Sequence, residues 1–102
     1  MLIRIVRLTL HPEKVEAFHT LFSRAAPEIR AFDGCRHLEL WSDATYPNIV
    51  ATYSLWANED ALNRYRNSEF FRTTWGRTRT LFAAPPVAYS YTSESTPTSP
   101  IV

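Results

Sequence analysis

The chain has one cysteine, two glycines and one methionine among 102 residues. A lone Cys35 excludes an intrachain disulfide and leaves a zinc module without a second thiolate. Gly34 and Gly76 stand far apart, so neither a P-loop nor a Rossmann turn can be built. Neither sign of charge dominates: Lys and Arg number 11, Asp and Glu 10, for a net charge of +1. That balance is no electrostatic footprint for nucleic acid or an anionic membrane. Long apolar runs are missing as well. Arg4 and Arg7 interrupt the apolar N-terminus, which fits neither a signal peptide nor a transmembrane span, and a soluble cytoplasmic protein is expected.

Aromatics are plentiful by contrast, at 14% of the chain, which points to an interface or an aromatic-lined pocket. The length suits one domain with a single core. Leu2 to Leu10 reads as a strand with apolar residues on both sides, hence central in its sheet. Leu2, Arg4, Val6, Leu8 and Leu10 share one side; Ile3, Ile5, Arg7 and Thr9 share the other. Pro12 suits the first turn of a helix whose stripe is Val15, Phe18, Phe22, Ala25 and Ile29. Pro27 within that stripe is expected to kink the helix or restart it. Asn58 and Ser68 are N-cap candidates for two further helices, carrying Ala61, Leu62 and Tyr65, then Phe71, Trp75, Thr78 and Phe82. Gly76 weakens the last of these and is expected to mark a close packing point. Val87, Tyr89 and Tyr91 alternate as a final strand, and the Ser, Thr and Pro content of residues 93–102 predicts a disordered tail after a domain over residues 1–92.

Between the helices lies the stretch from Gly34 to Trp56, a hairpin signal with a polar loop at Ser42 to Asn48. In its first strand His37, Glu39 and Trp41 alternate with Leu38 and Leu40; in its second Thr52, Ser54 and Trp56 alternate with Ala51, Tyr53 and Leu55. The order β-α-β-β-α-β is the ferredoxin-like arrangement: an α+β fold with a four-stranded antiparallel sheet and its helices on one face. The bare sheet face needs a cover, and a second copy is the simplest one, so a homodimer is expected.

Candidate chemistry is sparse. His11 sits at a strand-to-helix junction, where a solvated side chain is the ordinary outcome. His19 borders the helix stripe. His37 shares a strand face with Glu39 and Trp41, where a structural histidine and a polar pocket residue are both open readings. No His pair has metal-site spacing and no Ser, His and Asp cluster suggests a triad. Arg4, among apolar neighbours, either snorkels to the sheet edge or holds an anionic or quinone oxygen. Trp41, Trp56, Trp75, Tyr53, Tyr65, Phe18, Phe22 and Phe71 either form core or line a slot for a flat ligand. Trp56 ends a strand just before a helix cap, where a cleft mouth often opens. One hairpin register lets His37 and Trp56 share the pocket face; the other sends His37 towards a dimer partner.

The runs Ile-Arg-Ala-Phe-Asp-Gly-Cys at 29–35, Leu-Glu-Leu-Trp at 38–41, Thr-Tyr-Ser-Leu-Trp at 52–56, Ala-Leu-Asn-Arg-Tyr at 61–65 and Ser-Glu-Phe-Phe at 68–71 resemble the antibiotic biosynthesis monooxygenase domain family. The resemblance covers residues 2–92. It implies a dimeric α/β barrel in which two ferredoxin-like protomers pack sheet to sheet, each with a pocket between its sheet and helices. It also implies oxygenases that use no metal, flavin or nicotinamide and act on polycyclic phenols or hydroquinones, beside others that degrade heme. Trp56 matches the family's strand-end tryptophan. Val6 stands where the heme-degrading branch carries Asn, and Trp75 where it carries the ligating His. Phe70 stands where the quinol-oxidising branch often has a His.

The resulting expectation is a monooxygenase without cofactor or metal, acting on a small aromatic phenol or hydroquinone. His37 is its expected base or hydrogen-bond partner, with Trp56 beside it. Arg4, Phe22, Tyr53, Tyr65, Phe71 and Trp75 are the expected substrate-binding residues. The alternatives are a non-catalytic dimer that binds a small aromatic ligand, and a purely structural dimer with a filled core.

Overall fold

A computed structural model describes residues 1–93. The expected tail, Ser93 apart, lies outside the described residues. The elements run β1 (Leu2–Thr9), α1 (Val15–Arg30), β2 (Cys35–Ser42), β3 (Ile49–Trp56), α2 (Glu59–Arg66), α3 (Glu69–Thr78) and β4 (Val87–Thr92). Short 3-10 turns lie at Pro12–Lys14 and Arg79–Leu81. The four strands form one antiparallel sheet in the order β2-β3-β1-β4. This is the α+β, ferredoxin-like arrangement, with β1 and β3 central as their two-sided apolar pattern requires.

Register decides which residues meet the helices. Arg4 pairs with Ser54 and Ser90, Val6 with Thr52 and Ala88, Leu8 with Val50. These rows, with Leu2, Trp56, Leu38 and Leu40, form the helix-facing side. The core there has two buried groups. One joins Ala25, Ala26, Ile29, Leu38, Trp56, Ala61 and Leu62; the other joins Leu8, Leu10, Phe18 and Val50. The far face carries Ile3, Ile5, Tyr53 and Leu55, half-buried, and Trp41, Val87, Tyr89 and Tyr91, exposed.

Local chemistry sets the helix ends. Asn58 Oδ1 accepts from the Ala61 N–H at 2.9 Å, and Ser68 Oγ from the Phe71 N–H at 3.1 Å. Both satisfy donors left over in a first helical turn. Gly34 has φ 87°, and a Cβ there would sit 2.4 Å from the Ala61 Cβ. Only glycine permits this close approach of the α1–β2 turn to α2.

Two local expectations are corrected. Pro27 does not restart α1 as a second short helix; one helix runs to Arg30. Pro27 lies in the last turn on the exposed side, so the helix forfeits only one hydrogen bond there. Gly76 marks no packing point, since a Cβ at that position would meet nothing within 4 Å.

Candidate functional site

The space between the sheet and the helices is not filled. A cavity of about 340 Å³ lies over β1 and β3, bounded by α1, α2 and α3. This is the small end of the range for ligand cavities, roughly 300–1,000 Å³. Its floor is the helix-facing rows from Arg4 and Ser54 to Leu8. Its wall is a run of rings. Trp56 stacks on Tyr65 with centroids 5.0 Å apart, Tyr65 meets Phe71 edge-on at 5.1 Å, and Phe71 stacks on Trp75 at 5.8 Å. The rings come together because Tyr65 lies near the end of α2 and Phe71 and Trp75 lie one turn apart on α3.

Polar groups are few and concentrated at one end. The Trp56 indole N–H donates to Ser54 Oγ at 3.0 Å, and that hydroxyl donates to the Arg4 carbonyl at 3.5 Å. Trp56 is only 1% exposed, so this partner spares the buried indole a desolvation cost. The Arg4 guanidinium donates to Ser90 Oγ at 3.0 Å. Burial, and then the positive charge of Arg66, push the Arg4 pKa below the usual arginine value. Arg66 sits exposed at the end of α2 and also lines the cavity. Burial, then the neighbouring Cys35, push the Tyr65 hydroxyl up to about 12. It is therefore a neutral hydrogen-bond donor at physiological pH. Among the described residues no Asp, Glu, His or Cys lines the cavity, and no group of His, Cys, Asp or Glu is placed to hold a metal ion.

The antibiotic biosynthesis monooxygenase family profile matches residues 1–75. The chain belongs to that family. No curated protein matches the sequence. Solved structures do. A conserved protein from Methanosarcina mazei Go1 is 22% identical with TM-score 0.84, over 89% of this chain and 91% of its own. Rv0793 from Mycobacterium tuberculosis is 20% identical with TM-score 0.85, over 94% and 97%. SnoaB, a cofactor-independent oxygenase from Streptomyces nogalater, is 19% identical with TM-score 0.85, over 96% and 97%. At these identities the likeness is one of fold.

Within this monooxygenase fold, Arg4, Phe22, Trp56, Tyr65, Phe71 and Trp75 are brought together around the cavity. His37 and Tyr53 are not. Their placement in the pocket is corrected by a β-bulge at Arg36: Cys35 pairs with Trp56, yet His37 pairs with Leu55 instead of Ser54. One extra residue moves every later side chain of β2 to the opposite face, turning Leu38 and Leu40 inward and His37 outward. On that far face His37 pairs with Glu39, whose other oxygen accepts from the Trp41 indole at 2.9 Å. Trp41 in turn stacks on Tyr53 at 4.9 Å. The Trp41 and then the His37 hydrogen bonds hold the Glu39 carboxyl below the usual range.

Val6 and Trp75 both line the cavity, and among the described residues its lining offers heme iron no imidazole or thiolate. Phe70 lies outside it, in a shallow groove between α1 and α3. The sequence reading missed Ser54, Thr52, Thr74 and Arg66. Ser54 stands two residues before Trp56 on one strand face, and Arg66 four after Leu62 on one helix face; strand and helix periodicity are the signals that point to them.

Proposed function

We propose that this family member is a monooxygenase that needs no cofactor and oxidises a small aromatic phenol or hydroquinone with molecular oxygen. The observation that carries this reading is an aromatic-walled cavity whose only charged lining groups, among the described residues, are two guanidinium ions. A flat phenol fits between such rings, and the positive field lowers its pKa, so the phenolate forms without a protein base. The phenolate is electron-rich at its ring carbon. It passes one electron to dioxygen, and the radical pair collapses to a peroxide anion at that carbon, which becomes a hydroperoxide by taking back from water the proton that the phenol released. Loss of water leaves a carbonyl, so a naphthol and dioxygen become a naphthoquinone and water. One oxygen atom is retained and the other leaves as water. The chain's residues bind the ring, exclude bulk water and hold the anion.

We assign the far sheet face to a homodimer interface. Its exposed Trp41, Val87, Tyr89 and Tyr91 flank the half-buried Ile3, Ile5, Tyr53 and Leu55, an apolar surface of the kind that pairs. His37 then serves that interface, not the reaction. The unpaired Cys35 suits a reducing cytoplasm.

Oxygen uptake by chelator-treated protein with a panel of naphthols and naphthohydroquinones tests the reading. Substrate-dependent uptake above the autoxidation rate is expected. Tight binding of the panel with no uptake would instead establish the second reading, a non-catalytic binding dimer. That alternative is favoured by one observation, the lack of a carboxylate or imidazole base among the described residues of the lining.

A further inference from the structure

The two cavity cations have more hydrogen-bonding capacity than the protein uses. A guanidinium offers about five N–H donors in a fixed fork. Arg4 directs one to Ser90, and neither Arg4 nor Arg66 has an acidic partner among the described residues. Burial, and after it the positive charge of Arg66, lower the Arg4 pKa. Two like charges face one cavity, with no counter-charge among the described residues of its lining, an arrangement that favours an anionic ligand.

The rows of the sheet give that ligand a direction. The Arg4 row is polar across β3, β1 and β4, with Ser54 on one side and Ser90 on the other. Two rows along, at Leu8 and Val50, with Phe18 above, the side chains are wholly apolar and buried. A ligand lying along this axis has a charged head at one end and a ring system at the other.

We propose that the substrate carries a permanent carboxylate, separate from the reacting phenol, which Arg4 and Arg66 hold at the mouth of the cavity. This rests on the aromatic-substrate reading above. A carboxylate accepts two parallel N–H bonds from one guanidinium or bridges two of them, whereas a phenolate oxygen fits neither geometry as well. One of the two positive charges is met by the carboxylate. The other remains to favour the phenolate. Arg4, anchored to Ser90, fixes the head, and exposed Arg66 closes over it from the end of α2.

Isothermal titration calorimetry with a hydroxynaphthoic acid and its neutral carboxamide tests this in the full-length protein. The acid is expected to bind about tenfold tighter or more, the usual scale for a charge-assisted contact. Added salt should erode that advantage while leaving the carboxamide unaffected. Arg4→Met, which keeps the apolar stem, should bring the acid down to the carboxamide's affinity without moving the latter. Arg66→Gln, at an exposed position, should remove part of the preference and serves if the Arg4 variant does not fold. Equal affinities in the wild type, or an acid preference that survives both substitutions, would overturn the carboxylate assignment and leave the aromatic cavity standing. If neither compound binds, both readings fall.

Discussion

Trp56 is at once core residue and cavity wall, and the two roles can be separated by a thermodynamic cycle with Ser54. Replacing Trp56 by Phe keeps a ring against Tyr65 but removes the indole N–H that donates to Ser54 Oγ at 3.0 Å. Ser54 is only 6% exposed, so water cannot readily take the indole's place. The lost hydrogen bond and the smaller ring should together cost about 2 kcal/mol. Ser54→Ala leaves the indole N–H buried without an acceptor and should cost roughly 1–2 kcal/mol. The double variant removes donor and acceptor together, so it should be more stable than the sum of the singles by about 1 kcal/mol. Urea unfolding at one fixed protein concentration, followed by far-UV circular dichroism, measures all four corners of the cycle; the fixed concentration matters because a dimer's stability depends on it. Hydroxynaphthoate binding to Trp56→Phe should stay within about threefold of wild type, since the ring face that meets a ligand survives. Additive single effects would refute the buried donor–acceptor pair. A binding loss without a stability loss would refute the structural half of the argument.

His37→Ala should leave turnover within about twofold of wild type, against the roughly hundredfold or greater loss expected for an acid–base group; sedimentation should instead show a weakened dimer. Gly34→Ala should destabilise by roughly 2–4 kcal/mol, from the left-handed backbone and the clash with Ala61, whereas Gly76→Ala should stabilise by up to about 1 kcal/mol in the same urea titration. Tyr65, pushed up to about 12, gives an alkaline signature. Its folded pKa is raised, so its contribution is whole below the unfolded value near 10 and is lost as pH rises towards 12, by about 2–3 kcal/mol in all. Tyr65→Phe should flatten that stretch of the stability–pH curve. Titration with hemin should give no sharp Soret band saturating at one heme per chain, because the described residues of the lining include no imidazole or thiolate to ligate the iron.

Much of the fold is written in patterns that need no tertiary information. The α1 stripe from Val15 to Ile29, the Asn58 and Ser68 caps and the two-sided apolar β1 each follow from local chemistry, and together they leave one economical topology. The pocket wall was legible for the same reason, since Tyr65, Phe71 and Trp75 share helix faces with core residues. His37 was not, because alternation along a strand is silent about an inserted residue: Arg36 in the bulge reverses the face of everything after it. One signal was nonetheless available. Leu38 and Leu40 needed the core more than His37 did, and a strand that turns them inward turns His37 out. Arg66 was overlooked because a charge in the last turn of a helix is ordinarily a favourable partner for the helix dipole. The packing of α2 over the sheet brings it to the Arg4 cavity as well.

On the function proposed above, the cavity carries out oxygen insertion with the chain's own residues and a substrate-derived electron supply. That reading is tested most directly by turnover of a hydroxynaphthoic acid under heavy-isotope dioxygen, using protein stripped of metals by chelation and checked for the absence of flavin. Mass spectrometry of the product should show one labelled oxygen atom at the new carbonyl, with the second recovered in water and no requirement for added cofactor. An unlabelled carbonyl, or a rate that appears only when a metal, flavin or nicotinamide is restored, would contradict it.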